Sequence, residues 1–119
     1  MKTILVVEDE QDILLTIELI LEPEGYEVVT AANGREALAR LAERRPALVV
    51  MDVMMPVQNG LDTLRIMRGD PEYSEVPVLL MSAAKVQVSQ AEYRWNDFLR
   101  KPFEIDELLE AVARLAGGP

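Results

Sequence analysis

Short apolar runs alternate along this chain with longer stretches in which apolar residues recur every three or four positions. The short runs are Ile4 to Val7, Tyr26 to Ala31, Ala47 to Met51, Val78 to Met81 and Phe98 to Arg100. They are too short for helices and read as strands; the run ending at Met51, rich in β-branched residues, reads as buried on both faces. The longer stretches predict helices. One runs from Gln11 to Leu21 and is ended by Pro23 and Gly25, with Asp9 placed as its N-cap. A second spans Arg35 to Arg44, with Asn33 as cap and Ala37, Leu38 and Leu41 on one face. A third starts near Gly60, carries Leu61, Leu64 and Met67, and closes at Gly69-Asp70-Pro71. The last runs from Glu104 to Leu115, with Ile105, Leu108, Leu109, Val112 and Leu115 at helical spacing and Gly117-Gly118-Pro119 as a frayed end. Between Lys85 and Asn96 the pattern is mixed. Val86 and Val88 alternate with polar residues while Ala91, Glu92 and Tyr93 suit a helix, so a weak helix is expected there.

This βαβαβαβαβα order predicts an α/β fold, a doubly wound five-stranded parallel sheet with helices on both faces. The expected strand order is 2-1-3-4-5, which puts a switch point between the first and third strands. Ligands of such sheets bind beyond the carboxyl ends of the strands. The stretch from Leu48 to Pro56 carries the clearest signal, because a buried strand stops abruptly at a carboxylate, Asp52, with Pro56 and Asn59-Gly60 just after it. Glu8 and Asp9 follow the first strand, Ser82 ends the fourth and Lys101 follows the fifth. Four of the five strand ends thus deliver polar groups to one rim.

Composition narrows the chemistry. The 119 residues suit one domain, expected to cover 1–119, and half of them are hydrophobic. A net charge of −9, from 21 acidic and 12 basic residues, argues against nucleic-acid binding by this chain. There is no cysteine and no histidine, which excludes disulfides, thiol chemistry, histidine triads and histidine-ligated zinc. No apolar run approaches the ~20 residues of a membrane span. The apolar start, Ile4 to Val7, is too short for a signal peptide, and a cytoplasmic protein is expected.

Crowded carboxylates need a cation or raised pKa values. Oxygen donors without imidazole or thiolate suit a hard ion, and Mg²⁺ takes one or two carboxylates, waters and a phosphate. In that setting Asp52 reads as both metal ligand and nucleophile for a phosphoryl group. The metal and Lys101 would offset charge on the transferring oxygens, and Ser82 would donate its hydroxyl to one of them. Each residue alone also has a structural explanation: a cap at Glu8-Asp9, an Asx-turn at Asp52, a turn hydroxyl at Ser82 and a surface charge at Lys101. Their joint placement at strand ends favours the functional reading.

These residues stand in motifs that resemble the receiver domain of two-component response regulators, the CheY-like family. The motifs are Ile4-Leu5-Val6-Val7-Glu8-Asp9-Glu10, Met51-Asp52-Val53-Met54-Met55-Pro56 with Gly60, Met81-Ser82-Ala83, and Phe98-Leu99-Arg100-Lys101-Pro102-Phe103. The resemblance covers essentially the whole chain and implies the flavodoxin-like receiver fold. It implies that Asp52 is the phosphoacceptor and that the chain is a signalling domain, catalysing its own phosphotransfer and slow dephosphorylation. It implies Mg²⁺ held by Asp9 and Asp52, by Glu8 through water, and by the backbone carbonyl of Met54. Ser82 and Lys101 would contact the phosphoryl group, Phe98 would be the aromatic switch residue, and the Lys101–Pro102 peptide would be cis. The implied partners are a histidine kinase or histidine-containing phosphotransfer protein and a downstream effector.

Two departures fall on the mixed segment. The interval from Ser82 to Lys101 is about one helical turn shorter than is usual in the family. Arg94-Trp95 stand where the family usually has glycine and alanine. A truncated or irregular fourth helix is therefore expected, with Arg94, Trp95 and Arg100 as contacts on an altered output surface. On the first helix, Ile13, Ile17, Ile20 and Leu21 can cover the sheet, leaving Leu14, Leu15 and Leu19 outward or toward the rim. That pattern reads either as a docking face for the phosphodonor or as a broad buried face.

Three rival readings fit less well. A haloacid-dehalogenase-type phosphatase wants a second aspartate where Met54 stands. A flavin or nucleotide binder needs a phosphate loop where Glu8-Asp9-Glu10 would repel phosphate, and no GxxxxGK[ST] pattern occurs. A pure interaction module would not need Glu8, Asp9, Asp52, Ser82 and Lys101 together. No effector sequence follows residue 119, which leaves a stand-alone receiver, a relay intermediate and one domain of a longer regulator as open readings.

Overall fold

A computed structural model describes residues 1–54, 59–83 and 87–119. Five strands, β1 (Thr3–Val7), β2 (Glu27–Ala31), β3 (Leu48–Asp52), β4 (Val78–Ser82) and β5 (Asp97–Arg100), form one parallel sheet in the order β2-β1-β3-β4-β5. Helices α1 (Gln11–Leu21), α2 (Gly34–Glu43), α3 (Gly60–Gly69), α4 (Gln90–Tyr93) and α5 (Ile105–Ala116) connect and follow them. This is the expected doubly wound, flavodoxin-like architecture, and α4 is short, at 4 residues.

Every residue of β1, β3 and β4 is buried. Because side chains alternate along a strand, each strand feeds two cores. Ile4, Val6, Leu48, Val50, Leu79 and Met81 face one layer with Ile17 and Leu21 of α1 and Leu108 and Val112 of α5. Leu5, Val7, Val49, Met51, Val78 and Leu80 face the other, with Leu41 of α2 and Leu64 and Met67 of α3. Continuous apolar strands are the consequence: neither face of the central sheet meets water.

Helix ends follow local chemistry, with two departures from expectation. The side chain of Asn33 accepts the Glu36 N–H, and that of Asn59 accepts the Asp62 N–H, so both cap their helices. Asp9 does not cap α1; the N-cap is Glu10, which makes no side-chain capping bond. The chain makes one more residue of loop there, and Asp9 joins the carboxylates of the rim instead. The C-terminus is not frayed at Gly117. This residue takes φ +83° and its N–H closes α5 on the Ala113 carbonyl, while Lys2 Nζ donates to the Ala116 carbonyl at 2.6 Å.

Part of the expected weak helix, Lys85 and Val86, lies outside the described residues. The rest forms α4, capped by Ser89 and ended by Arg94 at φ +56°. A new feature ties this segment down. The Arg68 guanidinium donates to the carbonyls of Tyr73, Ser74, Val76 and Arg94 and to Asn96 Oδ1. Asn96 Oδ1 also accepts the Val78 N–H at 2.8 Å. One side chain thus joins α3, the loop before β4 and the lead-in to β5.

Candidate functional site

The sheet order brings the polar strand ends together. The Glu8 N–H continues the ladder by donating to the Ala31 carbonyl, which turns the Glu8 side chain inward, where it is fully buried. Asp52 is the last residue of β3 and Ser82 the last of β4, and both are buried. The Lys101 N–H donates to the Ser82 carbonyl at 2.9 Å, which sets the Lys101 stem over the same rim. The following peptide, Lys101–Pro102, is cis.

Lys101 is the hub. Its ammonium donates to Glu8 Oε1 and, at 3.1 Å, to Asp52 Oδ2, with only 10% of its side chain exposed. The free oxygens find backbone donors: Glu8 Oε2 accepts the Glu10 N–H and Asp52 Oδ1 accepts the Met54 N–H, each at 3.3 Å. Burial pushes the Glu8 carboxyl up to about 7, opposed by its hydrogen bond from Lys101 and assisted by the Asp52 charge. Burial works against the Lys101 ammonium as well, but its bonds to Glu8 and Asp52 win and hold its pKa above the ordinary value.

Gly60 brings α3 against this strand end. Its N–H donates to the Val53 carbonyl at 2.9 Å, and a Cβ at this position would lie 2.3 Å from the Asp52 carbonyl oxygen. Only glycine allows the helix so close.

Carboxylate oxygens of Glu8, Asp9 and Asp52 lie within 4.8 Å of one another, two of the residues buried and Asp9 exposed. Three hard oxygen donors with a single ammonium between two of them fit a Mg²⁺ ion, approached from the Asp9 side. Met54 follows closely, with its side chain exposed. Phe98 sits on β5 opposite Leu80, half-buried.

The pattern of the family described as the response regulator receiver domain matches residues 4–113. The chain is a response regulator receiver domain. This receiver is 42% identical over 112 residues to the uncharacterized transcriptional regulatory protein YkoG of Bacillus subtilis, covering 92% of this chain and 48% of that protein. The chain spans about half the length of the first curated relatives it matches. Among solved structures, chemotaxis protein CheY4 of Vibrio cholerae superposes with a TM-score of 0.88 at 32% identity, covering 97% of this chain and 98% of that one. Response regulator TrrA of Thermotoga maritima, in complex with Mg²⁺ and BeF, gives 0.87 at 34% identity, covering 97% and 99%. Receivers of this kind are signalling domains of two-component systems, not enzymes in the ordinary sense.

The rim residues are legible in the sequence, but four features are not. Burial of Glu8 is invisible in a Glu-Asp-Glu triplet that looks like a solvated turn. Arg68 carries no sequence signal, since an arginine in the last turn of a helix is ordinary. Trp95, expected on the surface, is half-buried: its ring meets Phe98 edge-on at 5.8 Å between centroids, and its indole N–H donates to the Val88 carbonyl. Of the three leucines placed outward or toward the rim, Leu14 is buried with Ile17 and Leu21, whereas Leu15 and Leu19 are 55% and 63% exposed. The buried stripe of α1 is rotated toward Leu14 because α5 packs beside it.

Proposed function

We propose that this receiver, a single domain over residues 1–119 acting in the cytoplasm, accepts a phosphoryl group on Asp52. The donor is a phosphohistidine of a histidine kinase or phosphotransfer protein, and the domain then presents an altered surface to a downstream effector. The carrying observation is the placement of Asp52 between a buried ammonium and a carboxylate cluster at the open end of the sheet. With no histidine in the chain, the phosphohistidine must come from a partner.

Asp9 and Asp52, with Glu8 through water and the Met54 carbonyl, would hold Mg²⁺, which supplies charge neutralisation of the phosphoryl oxygens when bound. An Asp52 oxygen forms the new O–P bond in line with the breaking P–N bond, whose electron pair stays on the donor imidazole. Lys101 is already directed at Asp52 and can swing one donor onto a phosphoryl oxygen. Ser82, one strand over, is placed to give its hydroxyl to another. The added charge of roughly −1.5 to −2 draws the Ser82 loop inward, and Phe98 responds as the switch residue.

The donor docks along α1. A cavity of about 350 Å³ opens beside Lys101, lined by Ile13, Thr16, Ile17, Ala83, Pro102 and Phe103 among others. Leu15 and Leu19 stand exposed on the same helix. An apolar crevice next to the acceptor suits a helical donor that must exclude water from the transferring group.

The deciding experiment is intact-mass analysis after acetyl phosphate and Mg²⁺. Wild type should gain one phosphate and Asp52→Asn none; equal labelling of both would overturn the assignment.

A further inference from the structure

We propose that Trp95 is a positioning residue that couples the Phe98 ring to the lead-in of α4, so that the two move as one unit. This rests on the reading of Phe98 as the switch residue. Trp95 touches both partners at once. Its ring stands at 71° to that of Phe98, an edge-to-face contact, and its Nε1–H donates to the Val88 carbonyl at 3.0 Å. Gln90 Nε2 returns a bond to the Trp95 carbonyl at 2.9 Å, so the loop is closed from both sides. Val88, Tyr93, Trp95 and Phe98 each pack against the core layer that holds Leu64 and Met67 of α3.

The far side of this group is fixed. Arg68 holds the Arg94 carbonyl and Asn96 Oδ1, and Asn96 pairs with Val78 through its N–H at 2.9 Å and its Oδ1 at 2.8 Å. The chain on either side of Trp95 is therefore anchored to the amino-terminal end of β4. A change in Phe98 cannot be absorbed by sliding β5. It passes to the indole, and from there to Val88, which lies six residues beyond Ser82. The indole thus links the Phe98 ring to the residues that lead into α4. Because α4 has a single turn, it lacks the internal bonds of a longer helix and follows Val88 readily.

The test has two arms. In the first, no ligand is present. Trp95 is the sole tryptophan, so its emission reports this site alone. Phe98→Ala should shift that emission and raise amide exchange over residues 87–93 by about threefold or more, leaving α2 unchanged. Unchanged exchange at 87–93 would overturn the coupling, whatever happens at Asp52. In the second arm, beryllofluoride with Mg²⁺ is added to wild type and to Trp95→Phe, and its binding is read by fluorine NMR. Binding should be equal in both. Exchange over 87–93 should respond in wild type and change less than about twofold in Trp95→Phe, which keeps a ring but lacks the N–H donor. Equal responses would overturn the coupling. Failure of beryllofluoride to bind either protein would instead overturn the phosphoacceptor reading, and the first arm would still decide the role of Trp95.

Discussion

Lys101 Nζ lies 3.1 Å from Asp52 Oδ2 while also bonded to Glu8, so one ammonium answers two carboxylates in a site closed to bulk water on the sheet side. Removing a partner from such an arrangement leaves buried charge, and the protein must respond by shifting a proton or binding a cation.

Lys101→Met should therefore still be labelled at Asp52 by acetyl phosphate with Mg²⁺, since the acceptor and the acidic cluster remain. It should lose the conformational response. Amide shift changes around Phe98 on beryllofluoride addition are the measurement. A full wild-type response in this variant would remove Lys101 from the switching path.

Glu8 makes stability depend on pH. Its carboxyl titrates near 7 when folded, above its ordinary 4.5, so the folded state binds the proton more tightly than the unfolded state. The resulting stabilisation is complete below the unfolded value and is lost as pH rises through about 7. Without Mg²⁺, unfolding free energy should fall between pH 5 and 8, with a ceiling of about 3 kcal/mol. Mg²⁺ at pH 8 should restore stability by binding the ionised cluster, and Asp9→Ala should remove most of that gain. Denaturant titrations at both pH values, with and without Mg²⁺, check this; a Glu8→Gln variant should flatten the slope.

Gly60→Ala should cost about 1–3 kcal/mol, the range for forcing atoms into a packed site. A methyl at this position meets the Asp52 carbonyl, so either α3 or the strand end must move. Urea unfolding measures the first effect. The rate of labelling by acetyl phosphate measures displacement of Asp52, and an unchanged rate would show that α3 alone gives way.

Arg68 and Arg94 should behave oppositely. Arg68→Met loses charge-assisted bonds to four carbonyls and to Asn96, and should cost about 2 kcal/mol. Arg94→Gly relieves a left-handed backbone at φ +56° and loses one exposed bond, from its side chain to the Arg68 carbonyl. Its effect should stay within about 1 kcal/mol of neutral. Thermal melts of the two variants side by side give the answer.

Leu15→Ser should leave acetyl phosphate labelling and thermal stability unchanged, because the side chain is exposed. Transfer from the cognate phosphohistidine donor should slow by about tenfold, the scale of losing one interfacial leucine. Unimpaired transfer would place docking off α1.

Local pattern was enough to place the strands, the helices, the short α4 among them, and the residues at the rim. Val49 and Val50 cannot be other than strand in so short an apolar run, and a strand that stops at Asp52 puts that carboxylate at the sheet edge. Continuous apolar strands and the capping chemistry of Asn33 and Asn59 are properties of a few neighbouring residues, so they survive without knowledge of the rest of the chain. Alternation predicts a doubly wound parallel sheet, and the common five-strand order 2-1-3-4-5 then brings Glu8, Asp52 and Lys101 together. What the tertiary structure alone decided is how each group lies once they meet. Glu8 is buried because the first strand runs one residue past Val7 against the Ala31 carbonyl, and its raised pKa follows from that burial. Leu14 faces inward because α5 lies beside α1. Arg68 holds the α4 segment because carbonyls from distant loops converge on its guanidinium, and Trp95 turns onto Phe98 because Arg94 takes a left-handed bend. Burial, convergent acceptors and side-chain direction depend on contacts between residues far apart in the chain, and no local pattern encodes them.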